Sequence, residues 1–140
     1  MKLKMMRNCH LLFVDYTKYN SFKLALIESQ TNGSFDCMIA WIHGSDKRVW
    51  ESLLEAIPTT KNMILYHIKG NSSFNKNDLT KSYLPSNIIY REVKLGFFVE
   101  KNNSSRWLTN SEIAKGIIDA IKQEIPEKHV GVFEPWNMRL

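Results

Sequence analysis

Strand-like apolar runs alternate with helix-like segments along most of this chain, and this alternation limits the folds it can adopt. Apolar runs lie at 11–14, 35–43, 61–68 and 88–99, with a short last one at 130–133. Segments with apolar residues at helical spacing lie between several of them. Strands that alternate with helices form mainly parallel sheets with right-handed crossovers. The pattern predicts an α/β fold with about five strands, mainly parallel, and helices on both faces of the sheet.

Local sequence features predict where the first elements begin and end. Thr17 or Asn20 is suited to cap a first helix, which the run Thr31-Asn-Gly-Ser would end. The run 35–43 is nearly continuously apolar, which is typical of a strand buried on both faces. The run Gly44-Ser45-Asp46 would end this strand and cap the next helix. That helix has apolar residues at helical spacing, namely Val49, Trp50, Leu53, Leu54 and Ile57.

The second half of the chain continues the alternation. A strand at 61–68 is followed by a glycine-containing turn, and the polar stretch 74–86 is expected to be a loop with a short helical turn. The run 88–99 predicts one long strand with Gly96 inside it, followed by a turn at 102–105. Thr109 lies three residues before Glu112, and this capping-box spacing predicts a helix over 111–123.

Length and composition indicate one globular domain, 1–140. The chain of 140 residues can bury a core, and its 44% hydrophobic and 24% charged residues are ordinary for such a domain. No segment approaches the ~20 consecutive apolar residues of a membrane span. The run 11–14 is broken at Asp15 and lacks a small-residue cleavage site, which argues against a secretory signal. We therefore expect a cytoplasmic protein without a membrane partner.

The cysteine, histidine and charge patterns argue against a metal site and against a nucleic-acid partner. Cys9 and Cys37 are expected to be reduced and buried, because their spacing fits no ligand pattern. His10, His67 and His129 also lack the spacing of a metal site. The net charge of +5 is spread along the chain, without the interleaved aromatic and basic residues of a nucleic-acid groove.

A set of short motifs resembles one known family. These motifs are Asp15-Tyr16, Ala40-Trp-Ile-His43, Gly70-Asn-Ser-Ser73, Leu95-Gly-Phe97, Arg106-Trp-Leu-Thr109 and Glu134-Pro-Trp136. Together they are similar to a small, atypical branch of the short-chain dehydrogenase/reductase-like family. The resemblance covers the chain from about residue 11 onward, and it implies a three-layer Rossmann-like fold. The family's first strand and glycine-rich phosphate turn have no counterpart, so the domain is expected to be incomplete at its N-terminus.

The resemblance also implies positions for a nucleotide. An acidic residue near the adenine corresponds to Asp15, and the segment beside the ribose corresponds to 40–44, where Trp41 and His43 are bulkier than usual. The strand end that carries the family's catalytic serine corresponds to Gly70 and to Ser72 or Ser73. Gly96 occupies the family's Pro-Gly position. The implied cofactor-binding residues are therefore Asp15, Trp41, His43, Gly70, Ser72 and Gly96, and NAD(P) is a possible cofactor.

The family's catalytic Tyr-x-x-x-Lys pair is not recognisable. Tyr83 has no lysine four residues later, and Tyr90 and Lys94 lie on a predicted strand, about 13 Å apart. Tyr19 and Lys23 precede the serine strand and would lie at the edge of the sheet. We therefore predict no catalytic residue in this chain.

Three of the residues or segments with an expected binding role also fit a purely structural role. His43 fits a structural histidine as well as a ligand contact. The segment 70–73 fits either a turn or an anion cradle, and Arg106 with Trp107 could hold a phosphate or fix the loop to the core.

Two functions are compatible with these observations. The first is a degenerate, non-catalytic Rossmann-like module that binds nucleotides weakly or not at all and acts through self-association or a protein partner. The second is an NAD(P)-dependent short-chain oxidoreductase with an unusual site or a truncated N-terminus. A sheet without its usual first strands would expose apolar edges, and we therefore expect a homo-oligomer. A nucleotide or another small molecule is the other possible partner.

Overall fold

A computed structural model describes residues 9–43, 47–70 and 84–133. Two compact units divide the chain, one made of residues 1–35 and 45–61, and the other of residues 36–44 and 62–140. The first unit contains the helices α1, Tyr19–Ser29, and α2, Lys47–Glu55. The second unit contains every described strand and the helix α3, Asn110–Gln123.

The two helices of the first unit contact each other through polar groups at their surface. Lys23 Nζ lies 3.1 Å from Glu55 Oε2, and the Gln30 side-chain amide donates to the Ala56 carbonyl at 2.9 Å. The Arg48 guanidinium lies 4.7 Å from the centre of the Tyr19 ring. In α2 the residues at the predicted apolar positions, Val49, Trp50, Leu53 and Leu54, are buried, and so is Ile57 beyond its end. Both helices of the sequence-based prediction are therefore confirmed.

The start of the first unit differs from the prediction in two respects. Residues 11–14 form no strand, and Phe13 is 82% exposed, because four apolar residues cannot form a strand without a neighbour to pair with. The N-cap of α1 is Lys18, without a side-chain hydrogen bond. The predicted cap Thr17 instead bonds Asp15 Oδ1 through both its backbone nitrogen and its hydroxyl. The predicted cap of α2, residues 44–46, lies outside the described residues.

The main sheet of the second unit has four parallel strands in the order β1-β2-β3-β6. These strands are β1, Cys37–Ala40; β2, Met63–Lys69; β3, Ile88–Leu95; and β6, Glu127–Val130. Two further strands, β4, Phe97–Val99, and β5, Ser105–Trp107, form an antiparallel pair. The prediction of an α/β chain with a mainly parallel sheet is therefore confirmed.

Three strand predictions were wrong in detail. The run 35–43 gives only the four residues of β1, which lies at an edge of the sheet and exposes Cys37 and Ile39 instead of burying both faces. The run 88–99 is two strands, because the chain leaves the sheet at Gly96 and enters the β4–β5 pair. The last strand covers 127–130 and shares only Val130 with the predicted 130–133, and Val132 forms an isolated bridge to Phe97. The predicted loop at 74–86 lies outside the described residues as far as residue 83.

The helix α3 begins with the predicted capping box. The Thr109 hydroxyl accepts from the Glu112 backbone nitrogen, and the Glu112 carboxylate accepts from the Thr109 nitrogen. One side of α3 packs on a single face of the sheet. The helix contributes Ile113, Ile117, Ala120 and Ile121, and the sheet contributes Tyr66, Ile68, Val93 and Leu95. Since side chains alternate along a strand, His67, Lys69, Glu92 and Lys94 lie on the opposite face.

Gly96 allows the close approach that joins the two sheets. Gly96 N donates to Val130 O at 2.8 Å, and Phe97 and Val132 exchange backbone hydrogen bonds at 2.9 and 2.7 Å. A Cβ on Gly96 would overlap the backbone carbonyl of Val132, whereas a Cβ on Gly70 would meet nothing within 4 Å. Glycine is therefore required at position 96 by backbone packing and not at position 70.

We expect Gly96→Ala to destabilise the protein by about 1–3 kcal/mol, because the methyl group overpacks a backbone contact that cannot move freely. The free energy of unfolding from urea titration measures this. Gly70→Ala is the matched control and should change it by much less. Equal stability of the two variants would show that the contact between Gly96 and Val132 imposes no constraint.

Candidate functional site

The carboxyl ends of the parallel strands bring together four of the six predicted cofactor-binding residues. Trp41 and His43 follow β1, Gly70 follows β2, and Gly96 follows β3. The rings of Trp41 and His43 lie 5.4 Å apart, and both residues are exposed. Ligands bind at this edge in open parallel α/β sheets. Ser72, the fifth residue, lies outside the described residues, and the assignment of all six to a cofactor stays a prediction.

Asp15, the sixth residue, does not follow a strand. It lies in the first unit, in a turn before α1, and its carboxylate accepts both hydrogen bonds from Thr17. These bonds lower the pKa of Asp15 below its usual value. The predicted position of Asp15 at a strand end was therefore wrong, because the strand that should lead to it does not form.

A row of charged side chains on the face opposite α3 was not predicted from the sequence. At the last position of this face on each strand, Lys69 of β2, Lys94 of β3 and His129 of β6 lie side by side. One step inward, His67, Glu92 and Glu127 form the adjacent row. The two rows together are called the charged ladder below. Period-two alternation in 63–69 and 88–95 was the feature of the sequence that could have indicated it.

Contacts within the charged ladder alternate in sign across three strands. Glu92 lies between two lysines, with Oε1 at 3.4 Å from Lys69 Nζ and Oε2 at 3.9 Å from Lys94 Nζ. Glu127 Oε1 lies 2.5 Å from Lys94 Nζ and 3.4 Å from His129 Nε2. Hydrogen bonds from Lys94 and then from His129 lower the pKa of Glu127. The carboxylates therefore balance the positive charges next to them.

Burial divides the charged ladder into an inner part, Lys69 and Glu92, and an outer part, Lys94, Glu127 and His129. The side chains of Lys69 and Glu92 are both 7% exposed, so this pair is inside the protein. Lys94 is partly buried, and Glu127 and His129 are exposed. His67 Nδ1 lies 2.7 Å from the Tyr90 hydroxyl beside the inner part. Only the outer part can be reached by a ligand from solvent.

Around β1 the α3 side of the sheet is exposed and apolar. Cys37, Ile64 and Ile89 lie side by side on this face, and Ile39 follows on β1. These four residues are called the β1 patch below. Ile39 is 49% exposed, Cys37 and Ile89 are exposed, and Ile64 is half-buried. The β1 patch therefore leaves apolar surface in contact with solvent.

Cys37 does not have the properties of a reactive thiol, although the residue is exposed. Desolvation raises the pKa of Cys37, the positive charge of Arg91 lowers it by less, and the charge of Asp36 raises it further. A raised pKa reduces the thiolate fraction, and the thiolate is the nucleophile. Cys37 therefore contributes to the β1 patch as a small apolar side chain.

Arg106 is held by the protein's own carboxylates. Its Nε donates to Glu100 Oε1 at 2.7 Å, and its two terminal nitrogens lie 2.8 and 3.2 Å from the oxygens of Glu112. The guanidinium also lies over the Phe98 ring, 4.1 Å from its centre. Of the two sequence-based alternatives, these contacts favour fixing of the loop over binding of a phosphate.

We expect Glu112 to make the stability of the protein depend on acid pH. Hydrogen bonds from Arg106 and then from Thr109 lower the pKa of Glu112 from 4.5 to about 2. Its contribution should be complete above about pH 4.5 and be lost as the pH falls through 2. Glu112→Gln should therefore be less stable than the unchanged protein at pH 6, and the difference should shrink toward pH 2. Urea unfolding at several pH values measures this.

Glu28→Gln, at an exposed position of α1, is the control and should unfold like the unchanged protein at every pH. A difference between Glu112→Gln and the unchanged protein that is the same at pH 6 and at pH 2 would contradict the assignment to the Glu112 carboxylate.

Comparison with known proteins gives no relative from which a function could be transferred. Among the described residues, no helix has the length and apolar character needed to cross a membrane, and no three His, Cys, Asp or Glu side chains are grouped to hold a metal. No family model, no curated protein and no solved structure matches this chain.

Proposed function

We propose that this chain is a degenerate, non-catalytic Rossmann-like module that binds nucleotides weakly or not at all and acts by self-association through β1. The observation that carries the proposal is the exposed edge of the main sheet. Residues 37–42 read Cys-Met-Ile-Ala-Trp-Ile, without a charged residue or a proline. Ile39 and Trp41 are 49% and 44% exposed.

An edge strand of this kind favours pairing with another strand. Its outer backbone groups are a template for further hydrogen bonds, and proteins usually prevent this with charged residues, prolines or bulges. Residues 37–42 contain no charge and no proline, and the adjoining β1 patch offers apolar surface to a partner. The edge therefore has the properties of an association surface.

A second copy of this chain is the partner that fits this surface. Two identical edge strands can pair antiparallel about a twofold axis, which makes one segment complementary to itself. No side chain in 37–42 is charged, so charge complementarity favours no other partner. Arg91, whose positive charge acts on Cys37, donates to the Tyr66 hydroxyl at 2.7 Å. Association would bury Ile39 and Cys37 together with this strand.

The strand order supports the Rossmann-like part of the proposal. All four strands of the main sheet are parallel and follow one another in chain order from β1 to β6. This is the order within one half of a doubly wound sheet. In such a fold the order reverses beside the first strand of that half, and here β1 is the edge at that position.

We expect Ile39→Lys to weaken the dimer by about tenfold or more, because a lysine would be buried in an apolar interface. Sedimentation or light scattering over a concentration series gives the dissociation constant. Ile118→Lys is the matched control, since Ile118 on α3 is also 49% exposed. A monomer at tens of micromolar in the unchanged protein, or equal weakening by both variants, would contradict association through β1.

An oxidoreductase that uses NAD(P) is the second candidate, and one observation favours it. Trp41, His43, Gly70 and Gly96 lie at the carboxyl ends of three adjacent parallel strands, where nucleotides bind in related sheets. Against it, a Cβ at Gly96 would overlap the Val132 carbonyl, so the protein's own backbone occupies that space.

A titration with NADH and NADPH tests this candidate through tryptophan emission. Under the favoured proposal we expect no saturable quenching up to about millimolar cofactor. Saturation at micromolar cofactor, lost in Trp41→Phe and kept in Trp107→Phe, would support the oxidoreductase instead. The two tryptophans are a matched pair, with 44% and 50% exposure.

A further inference from the structure

We propose that Lys94 and His129, at the outer end of the charged ladder, bind an oxyanion, which is a phosphate or carboxylate group of a small ligand. The Glu127 carboxylate occupies the position that this group would take, and it serves as an internal substitute for the group. None of the three residues was assigned a role by the sequence patterns. The proposal does not depend on self-association, because β1 contributes no residue to it.

The first argument is the position of the residues in the sheet. Lys69, Lys94 and His129 share one register level on β2, β3 and β6, and neighbouring strands are about 4.8 Å apart. This level lies at the carboxyl ends of the strands, since β2 ends at Lys69 and β6 ends one residue after His129. Open parallel sheets bind their ligands at this edge.

The second argument is that two donors converge on one oxygen. Lys94 Nζ and His129 Nε2 lie 2.5 and 3.4 Å from the same atom, Glu127 Oε1. Nitrogen donors that meet at one point, here the lysine ammonium and the histidine ring nitrogen, are an arrangement that carboxylate and phosphate recognition uses. Glu127 is exposed, so its side chain can leave this point without breaking the core.

The third argument is the cost of the arrangement. Lys69 and Lys94 are direct neighbours on adjacent strands, and the Glu92 carboxylate lies between them as their shared counter-charge. The inner pair, Lys69 and Glu92, is 7% exposed at each side chain, and apolar residues often replace such a buried pair without loss of stability. A buried ion pair that stability does not require, at the edge where open parallel sheets bind ligands, favours a functional role over a purely structural one.

Amide NMR of the full chain tests the proposal with sodium phosphate and, separately, sodium acetate at constant ionic strength. We expect saturable shifts at Lys94 and His129 with at least one of the two salts. Saturable shifts with phosphate alone would identify a phosphate ligand, and saturable shifts with acetate alone would identify a carboxylate ligand. Saturable shifts with both salts would identify an unspecific oxyanion site. No saturation with either salt up to about 10 mM would overturn the proposal.

Three variants make the test specific. Lys94→Gln should weaken binding by about tenfold or more, because a charge-assisted hydrogen bond is lost. Glu127→Gln should tighten binding, since it removes the internal competitor and does not touch the core. Lys115→Gln is the control, because Lys115 is an exposed lysine paired with Asp119 on α3.

Either of two results with these variants would overturn the proposal, namely unchanged affinity in Glu127→Gln or equal loss in Lys94→Gln and Lys115→Gln. An NADH response would report on Trp41, directly after β1, whereas the phosphate shifts report on β3 and β6. The oxidoreductase candidate and the oxyanion site can therefore fail separately.

Discussion

Pairing of β2 with β3 is the interaction on which the main sheet depends. The two strands are in register over seven residue pairs, from Met63 with Ile88 to Lys69 with Lys94. One face of this pair carries Tyr66, Ile68, Val93 and Leu95, on which α3 packs. The other face carries the charged ladder. A single backbone register thus aligns both the apolar core of the second unit and its row of titratable groups, and a shift of one residue would exchange the two faces.

Helices and central strands were predictable because each has a local cause in the sequence. The capping box of Thr109 and Glu112 sets the start of α3, and the apolar spacing in 49–57 sets α2. Edge elements were less predictable, because their apolar residues do not show whether a neighbouring strand exists. Residues 11–14 have none and form no strand, and β1 has one neighbour and buries only Ala40.

The candidate sites also differ in how far the sequence predicts them. Trp41, His43, Gly70 and Gly96 lie at one edge of the sheet because each follows a strand, and their role in cofactor binding stays a prediction. The charged ladder was missed, because its residues are distant in the sequence and only the register of β2, β3 and β6 aligns them. Arg106 was left with two roles until its contacts with Glu100 and Glu112 were known.

The two edges of the main sheet differ in chemistry, and this difference has a consequence for the size of the assembly proposed through β1. The opposite edge strand, β6, reads Glu-Lys-His-Val, so three of its four residues are polar and titratable. Such a composition protects an edge against added strands, whereas β1 lacks this protection. Under the proposed association, strand addition would take place at β1 only. Two copies joined there would present β6 at both ends, so growth would stop at a closed pair instead of continuing into a fibre.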